Sequence, residues 1–179
     1  MIRCIIIGYG FLGKRLARVL ASGRIRNLKL VGVASSKGYI HNERGFSREE
    51  LPESIHRSKG FREGSASELI DKRVADLLVE LTPTNIEDGE PGLSHIRQAL
   101  AQGMDVVTAN KGPIALAYEE LMGLAEENDS MLLYEATVGG GMPLISLQRR
   151  CLAADELLSV KGILNGTTNY ILSRMHFEG

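Results

Sequence analysis

Short apolar runs alternate along this chain with stretches of helical periodicity, the pattern of a parallel α/β sheet rather than a sandwich or a bundle. The first run, Cys4-Ile5-Ile6-Ile7, is continuous rather than alternating, as expected for a strand covered on both faces. Gly8-Tyr9-Gly10-Phe11-Leu12-Gly13 follows and opens a helix whose inward face reads Leu12, Leu16, Val19 and Leu20, with Gly23 as its stop. Leu28 to Val33 is the next strand and completes one βαβ unit. Residues 35 to 65 are polar and irregular. Ser47 with Glu50 fits a capping box there and predicts one short helix, and Ser67-Glu68-Leu69-Ile70 starts another.

Three further strands are expected over Ala75 to Leu81, Met104 to Thr108 and Met131 to Tyr134. Between them lie two helices. Leu93, Ile96 and Leu100 mark the first, closed by Gly103; Pro113 opens the second, with Leu116, Leu121 and Leu124 inward. After Pro143 the pattern predicts a helix to about Ala153, a strand from Leu157 to Leu164, and a helix from Thr167 or Thr168 to Met175. The expected fold is a Rossmann-type doubly wound parallel sheet over residues 1–134, followed over 135–179 by the beginning of a second, α+β domain. One helix, one strand and one helix are too little to form a second core by themselves.

The 179 residues are 44% hydrophobic, and Lys+Arg 21 against Asp+Glu 22 leaves a net charge of −1. That balance carries no electrostatic footprint for nucleic acid or an anionic membrane, so neither is expected as a partner. No apolar run approaches the roughly 20 residues of a membrane helix, and the N-terminus has no secretory signal pattern. Cys4 and Cys151 lie far apart and have no metal-ligand spacing, which suits a reducing compartment; a cytoplasmic protein is expected.

The chemistry gathers at the predicted strand ends. Gly8, Gly10 and Gly13 follow a buried strand and open a helix, the setting in which such glycines bind a dinucleotide. Gly8 permits the tight turn, Gly10 lets backbone approach a pyrophosphate, and Gly13 allows close helix–strand contact. The amides of Phe11 and Leu12 would face the phosphates. An NAD site usually has an acid at the end of the second strand. Here Ser35, Ser36 and Lys37 stand there instead, which favours the 2′-phosphate of NADP, with NAD as the alternative. Lys59, from the irregular segment, could add a second cation.

Thr82-Pro83-Thr84-Asn85 and Thr108-Ala109-Asn110-Lys111 both end predicted strands, where an open α/β sheet binds its ligands. Asn110 reads as either a ligand contact or a helix N-cap. Lys111 reads as either a solvated first-turn residue or a functional cation, since a lysine is electrostatically unfavourable at a helix start. Glu135 precedes Gly139-Gly140-Gly141, a turn able to hold an anion through amides or a cation through carbonyls; the carboxylate favours a cation. Asn165-Gly166-Thr167-Thr168-Asn169-Tyr170 is polar beyond what capping by Thr167 explains. The histidines His41, His56, His95 and His176 share no ligand or triad spacing and are expected in surface or packing roles.

Together these segments resemble homoserine dehydrogenases. The resemblance is carried by the glycine turn at residues 8–13, Val79-Glu80-Leu81-Thr82-Pro83-Thr84-Asn85, Val106-Val107-Thr108-Ala109-Asn110-Lys111-Gly112-Pro113, Glu135-Ala136-Thr137-Val138-Gly139-Gly140-Gly141-Met142-Pro143 and Gly162-Ile163-Leu164-Asn165-Gly166-Thr167-Thr168-Asn169-Tyr170. It implies NAD(P)-dependent interconversion of L-homoserine and L-aspartate 4-semialdehyde, on the way to threonine and methionine, by a homodimer. Carried over by position, Lys111 is similar to the family's active-site lysine beside the nicotinamide, and Thr82, Pro83 and Asn110 fall in the cofactor site. Glu135, Val138, Gly140 and Met142 are similar to a site for a monovalent cation (Na+ or K+), mainly through backbone oxygens. Gly166 and Thr167 are similar to part of the homoserine pocket. Residues 135–179 would begin the catalytic and dimerisation domain, whose remainder, with further catalytic groups, lies beyond Gly179 in family members. The competing readings are a non-catalytic NADP(H)-binding module and another amino-acid-aldehyde dehydrogenase of similar architecture.

Overall fold

The computed structural model describes residues 1–178. Two compact units divide the chain, Met1–Tyr134 and the residues from Glu135 onward. The first unit runs β1 (Ile2–Ile7), α1 (Phe11–Ala21), β2 (Leu28–Ser35), β3 (Gly38–His41), β4 (Arg62–Glu63), α2 (Ala66–Asp71), β5 (Leu77–Glu80), α3 (Gly92–Ala101), β6 (Asp105–Thr108), α4 (Lys111–Glu127) and β7 (Leu132–Leu133). These strands make one seven-stranded sheet in the order β4-β3-β2-β1-β5-β6-β7. β1 pairs in parallel with both β2 and β5, and β5–β6 and β6–β7 are also parallel.

The winding therefore reverses at β1, and the carboxyl ends of β1, β2 and β5 meet beside the switch. β1 is buried from Cys4 to Ile7 because helices cover both of its faces. Cys4 and Ile6 pack with Ala17 and Leu20 of α1 on one side. On the other, α3 packs between α2 and α4, and Leu69, Ile70, Ile96, Leu100 and Leu121 are almost wholly buried. Burial raises the Cys4 thiol to about 12, so it is an inert core group.

The far edge departs from the expected all-parallel sheet. β3 is antiparallel to β2, and β4 is antiparallel to β3. Residues 38–41 follow β2 after only two residues, too short a link for a parallel crossover, so the chain must fold back. The predicted helix at Ser47 does not form. Glu50 accepts from the Ser47 backbone N–H at 2.7 Å, but the segment remains a turn leading to one 3-10 turn at Ile55–Arg57. The full reciprocal capping box lies at Ser65 and Glu68, where it opens α2.

The expected face of α1 is also shifted. Leu12 and Val19 are 53% and 40% exposed, while Gly13, Ala17 and Leu20 are buried. Close approach to β1 selects the small residues. In α4, which has a non-helical Ala117, Leu121 is buried, Leu124 half-buried and Leu116 exposed.

The second unit contains a 3-10 turn at Glu135–Thr137, α5 (Leu144–Cys151) and α6 (Gly166–Glu178). The strand expected over Leu157 to Leu164 is irregular chain. A strand exists only by pairing, and no described segment of this unit offers it a ladder. In α6, Ile171, Leu172, Met175 and Phe177 expose apolar side chains. No described helix is long and apolar enough to cross a membrane.

Candidate active site

A cleft of about 610 Å³ opens at the carboxyl ends of β1, β2 and β5, lined by Gly8, Tyr9, Gly10, Ser35, Ser36, Leu81, Thr82 and Pro83 among others. Gly8 has φ +104°, and a Cβ there would overlap the backbone of Leu81 and Thr82. Its N–H and that of Tyr9 both donate to Ala34 O, at 3.0 and 3.1 Å, which fixes the turn to β2. Gly13 is closed in differently: its Cβ would overlap Gly8 O, so α1 lies against the turn it leaves. Gly10 has open space, with nothing within 4 Å of a Cβ position. It is the N-cap of α1 and has no side chain to satisfy the first-turn amides, which include those of Phe11 and Leu12. An uncapped helix start facing open space suits a diphosphate.

At the end of β2 the Ser35 hydroxyl donates to Gly38 O and accepts from Lys37 N–H, both at 3.3 Å, so it is committed to the β2–β3 turn. Ser36 lines the cleft and is exposed. Lys37 and Lys59 are exposed and lie outside the cleft lining.

The ends of β5 and β6 are tied by a buried acid that the sequence reading gave no role. Glu80 is 0% exposed at the last position of β5, paired in register with Thr108 of β6. One carboxylate oxygen, Oε1, accepts from Thr82 N–H at 2.8 Å and from the Thr82 hydroxyl. The other, Oε2, accepts from the Thr108 hydroxyl at 3.1 Å. Thr108 Oγ1 in turn accepts from Asn110 N–H at 2.9 Å, and Asn110 Nδ2 donates to Thr82 O and Oγ1 at 3.4 and 3.3 Å. Asn110 Oδ1 accepts from Gly112 N–H at 3.3 Å and so caps α4, whose first residue is the exposed Lys111. Burial raises the Glu80 carboxyl above the usual range, and hydrogen bonds from Thr82, Thr108 and Asn110 oppose the rise. The cleft-lining loop and the lysine-bearing helix start thus share one buried polar knot, although Asn110 and Lys111 are not themselves in the cleft lining.

His95 of α3 also lines the cleft. It is 8% exposed, and its Nδ1 is buried without a partner. Burial lowers its imidazole from the usual value, with Glu90 opposing.

In the second unit, Glu135 Oε1 accepts from Ile145 N–H at 3.0 Å. Oε2 accepts from Ser146 N–H and Oγ at 2.8 and 2.5 Å. These bonds hold its carboxyl below the usual range. The carboxylate that favoured a cation is therefore spent on the start of α5. Glu135 O and Met142 O each accept one turn N–H, from Val138 and Leu144. Each keeps a second lone pair, so the Glu135 and Met142 carbonyls remain able to accept a cation. Among the described residues no group of three or more His, Cys, Asp and Glu is placed to hold a metal ion. Gly166 and Thr167 open α6 and are exposed, and Asn165, not Thr167, supplies the capping oxygen, to Thr168 N–H at 2.8 Å.

Comparison with known proteins identifies the family. The homoserine dehydrogenase NAD-binding domain family matches residues 8–135, and the homoserine dehydrogenase family matches residues 143–179. Homoserine dehydrogenase of Methanocaldococcus jannaschii is 40% identical, over 98% of this chain and 56% of that protein. The NAD(+)-dependent homoserine dehydrogenase of Pseudomonas canavaninivorans is 36% identical, over 95% of this chain and 53% of that protein. A hyperthermophilic archaeal homoserine dehydrogenase, solved in complex with NADPH, superposes with a TM-score of 0.67 at 28% identity, over 82% of this chain and 47% of that one. The chain spans about half the length of the curated relatives it matches. With more than half of its residues matched by the first of those families, the chain belongs to the homoserine dehydrogenases.

Proposed function

We propose that this polypeptide is the nucleotide-binding part, and the opening of the catalytic part, of an oxidoreductase interconverting L-homoserine and L-aspartate 4-semialdehyde with NADP(H). The observation that carries this reading is the cleft itself: a tight glycine turn, an uncapped helix start and a β2 end without an acid, in a chain of this family. Residues 1–134 hold the cofactor, and residues 135–179 begin the catalytic and dimerisation domain. The amides of Phe11 and Leu12 take the pyrophosphate beside Gly8, Gly10 and Gly13. Ser36 takes the 2′-phosphate, with Ser35 shaping the turn and Lys37 and Lys59 supplying surrounding positive charge. Thr82, Pro83 and Asn110 position the nicotinamide half.

The bound dinucleotide supplies the hydride acceptor or donor. Lys111 contributes to cofactor binding and is the catalytic residue, its ammonium polarising the substrate oxygen and moving its proton. Gly166 and Thr167 contribute to the homoserine pocket, and a Na+ or K+ ion bound by the carbonyls of Glu135, Val138, Gly140 and Met142 stiffens the glycine-rich turn. The exposed apolar side chains of α6 support a homodimer.

Titration with NADPH and NADH, then addition of homoserine while NADP reduction is followed, tests the assignment, with sedimentation of the same sample reading its assembly. Turnover is expected to fall about 100-fold or more in Lys111→Ala, the size of a general acid–base contribution. Turnover that survives the substitution removes Lys111 from the chemistry, and failure of the wild type to bind either nucleotide overturns the whole reading.

Cofactor choice is tested separately. Ser36→Asp places a carboxylate where the 2′-phosphate would sit, and the ratio of NADPH to NADH affinity is expected to fall about tenfold, the size of one charge-assisted hydrogen bond. An unchanged ratio would show that the 2′-phosphate is read elsewhere.

A further inference from the structure

We propose that His95 is the side chain that reads the adenine base of the dinucleotide, an assignment that rests on the NADP(H) reading above. Six side chains lining the cleft can hydrogen-bond: those of Tyr9, Ser35, Ser36, Ser65, Thr82 and His95. Four are already committed. The Tyr9 hydroxyl donates to Pro52 O at 2.9 Å, and Ser35 closes the β2–β3 turn. Ser65 caps α2 by accepting from Glu68 N–H, and the Thr82 hydroxyl donates to Glu80. Ser36 and His95 remain. Ser36 stands at the end of β2, the position that meets the ribose in a dinucleotide fold.

His95 is the other. A buried polar atom without a partner is costly, typically about 1–3 kcal/mol, so an orphaned Nδ1 in a cleft wall indicates a group supplied from outside. Nδ1 and Cδ2 exchange places on a half-turn about χ2, so the nitrogen can change sides of the ring without moving α3. The surrounding lining includes Ala66, Leu81, Pro83 and Pro91, apolar surfaces suited to the faces of a flat aromatic ring. A phosphate would want a cation there, but burial disfavours the protonated form of this imidazole, with Glu90 opposing. A neutral imidazole among apolar walls matches a neutral heteroaromatic base.

The test uses the full chain labelled with nitrogen-15 and two probes, NADPH and adenosine 2′,5′-bisphosphate. Long-range proton–nitrogen spectra assign the His95 ring nitrogens by their loss in His95→Leu. Both probes are expected to shift those nitrogens. His95→Leu, which fills the same space, is expected to weaken the bisphosphate about tenfold, and His95→Gln to recover most of the loss because it restores a donor and an acceptor. A role in packing alone predicts that Leu is tolerated and Gln is not. Ring nitrogens that stay put while NADPH binds overturn the His95 assignment and leave the NADP(H) reading standing. Absence of NADPH binding to the wild type overturns both.

Discussion

Glu80→Ala is expected to lower the melting temperature by roughly 6 to 12 °C, the equivalent of about 3 kcal/mol in a chain of this length. The substitution strips Thr82 N–H, the Thr82 hydroxyl and the Thr108 hydroxyl of their acceptor and leaves a cavity between β5 and β6. Glu80→Gln is expected to behave quite differently. Its amide oxygen can accept from Thr82, its amide nitrogen can donate to Thr108 Oγ1, and the Thr108 hydroxyl can turn to Glu80 O, which it already approaches at 3.3 Å. The two variants therefore separate shape and hydrogen bonding from charge.

The sign of the pH dependence follows from the raised Glu80 carboxyl. The folded state holds this proton more tightly than the unfolded state, so Glu80 stabilises below its unfolded value and loses that contribution as pH rises through its folded value. Urea denaturation across the acidic range should show this component in the wild type and not in Glu80→Gln. Identical profiles for the two would show that hydrogen bonds from Thr82, Thr108 and Asn110 offset burial in full, and a component of opposite sign that they outweigh it.

Gly13→Ala is expected to lower both stability, by about 1–3 kcal/mol, and NADPH affinity, by tenfold or more. Its Cβ overlaps a backbone oxygen rather than a movable side chain, so α1 must back away from the turn and carry its first-turn amides with it. Gly10→Ala is the matched control. Gly10 has extended backbone, with φ −85°, and open space around it, so the melting temperature should hold while the new methyl obstructs the phosphates. Calorimetry with and without NADPH reads both quantities. A Gly13→Ala protein with unchanged NADPH affinity would disconnect the glycine turn from binding.

The opening βαβ unit was legible because each of its signals is local: a continuous apolar run, glycines at a fixed spacing, a helix ending at Gly23. The family was legible too, because five segments carry it in order. The misreadings have separate causes, the first that apolarity is a poor guide to close contact. Leu12 and Val19 looked like the inner face of α1, but an approach that excludes a Cβ at Gly13 places Gly13 and Ala17 inside instead. Leu157 to Leu164 looked like a strand, but pairing is a property of the neighbour. β3 and β4 passed unseen because four and two residues are too few to show a period. In the site, Glu80 was hidden at the end of an apolar run, where only the facing Thr108 and the returning Thr82 give it meaning. His95 looked like an ordinary packing histidine because the cleft it lines is assembled from segments remote in sequence.

The sheet closes at each side on a strand of two residues, β4 with Arg62 and Glu63 and β7 with Leu132 and Leu133. A foreign strand seeking to extend the ladder would find almost no backbone to copy, and at β4 it would meet a charge of each sign. Fibrillar growth by strand recruitment is thus disfavoured at both ends of the sheet. Colloidal trouble during expression would instead be expected at the apolar side chains that α6 leaves in water.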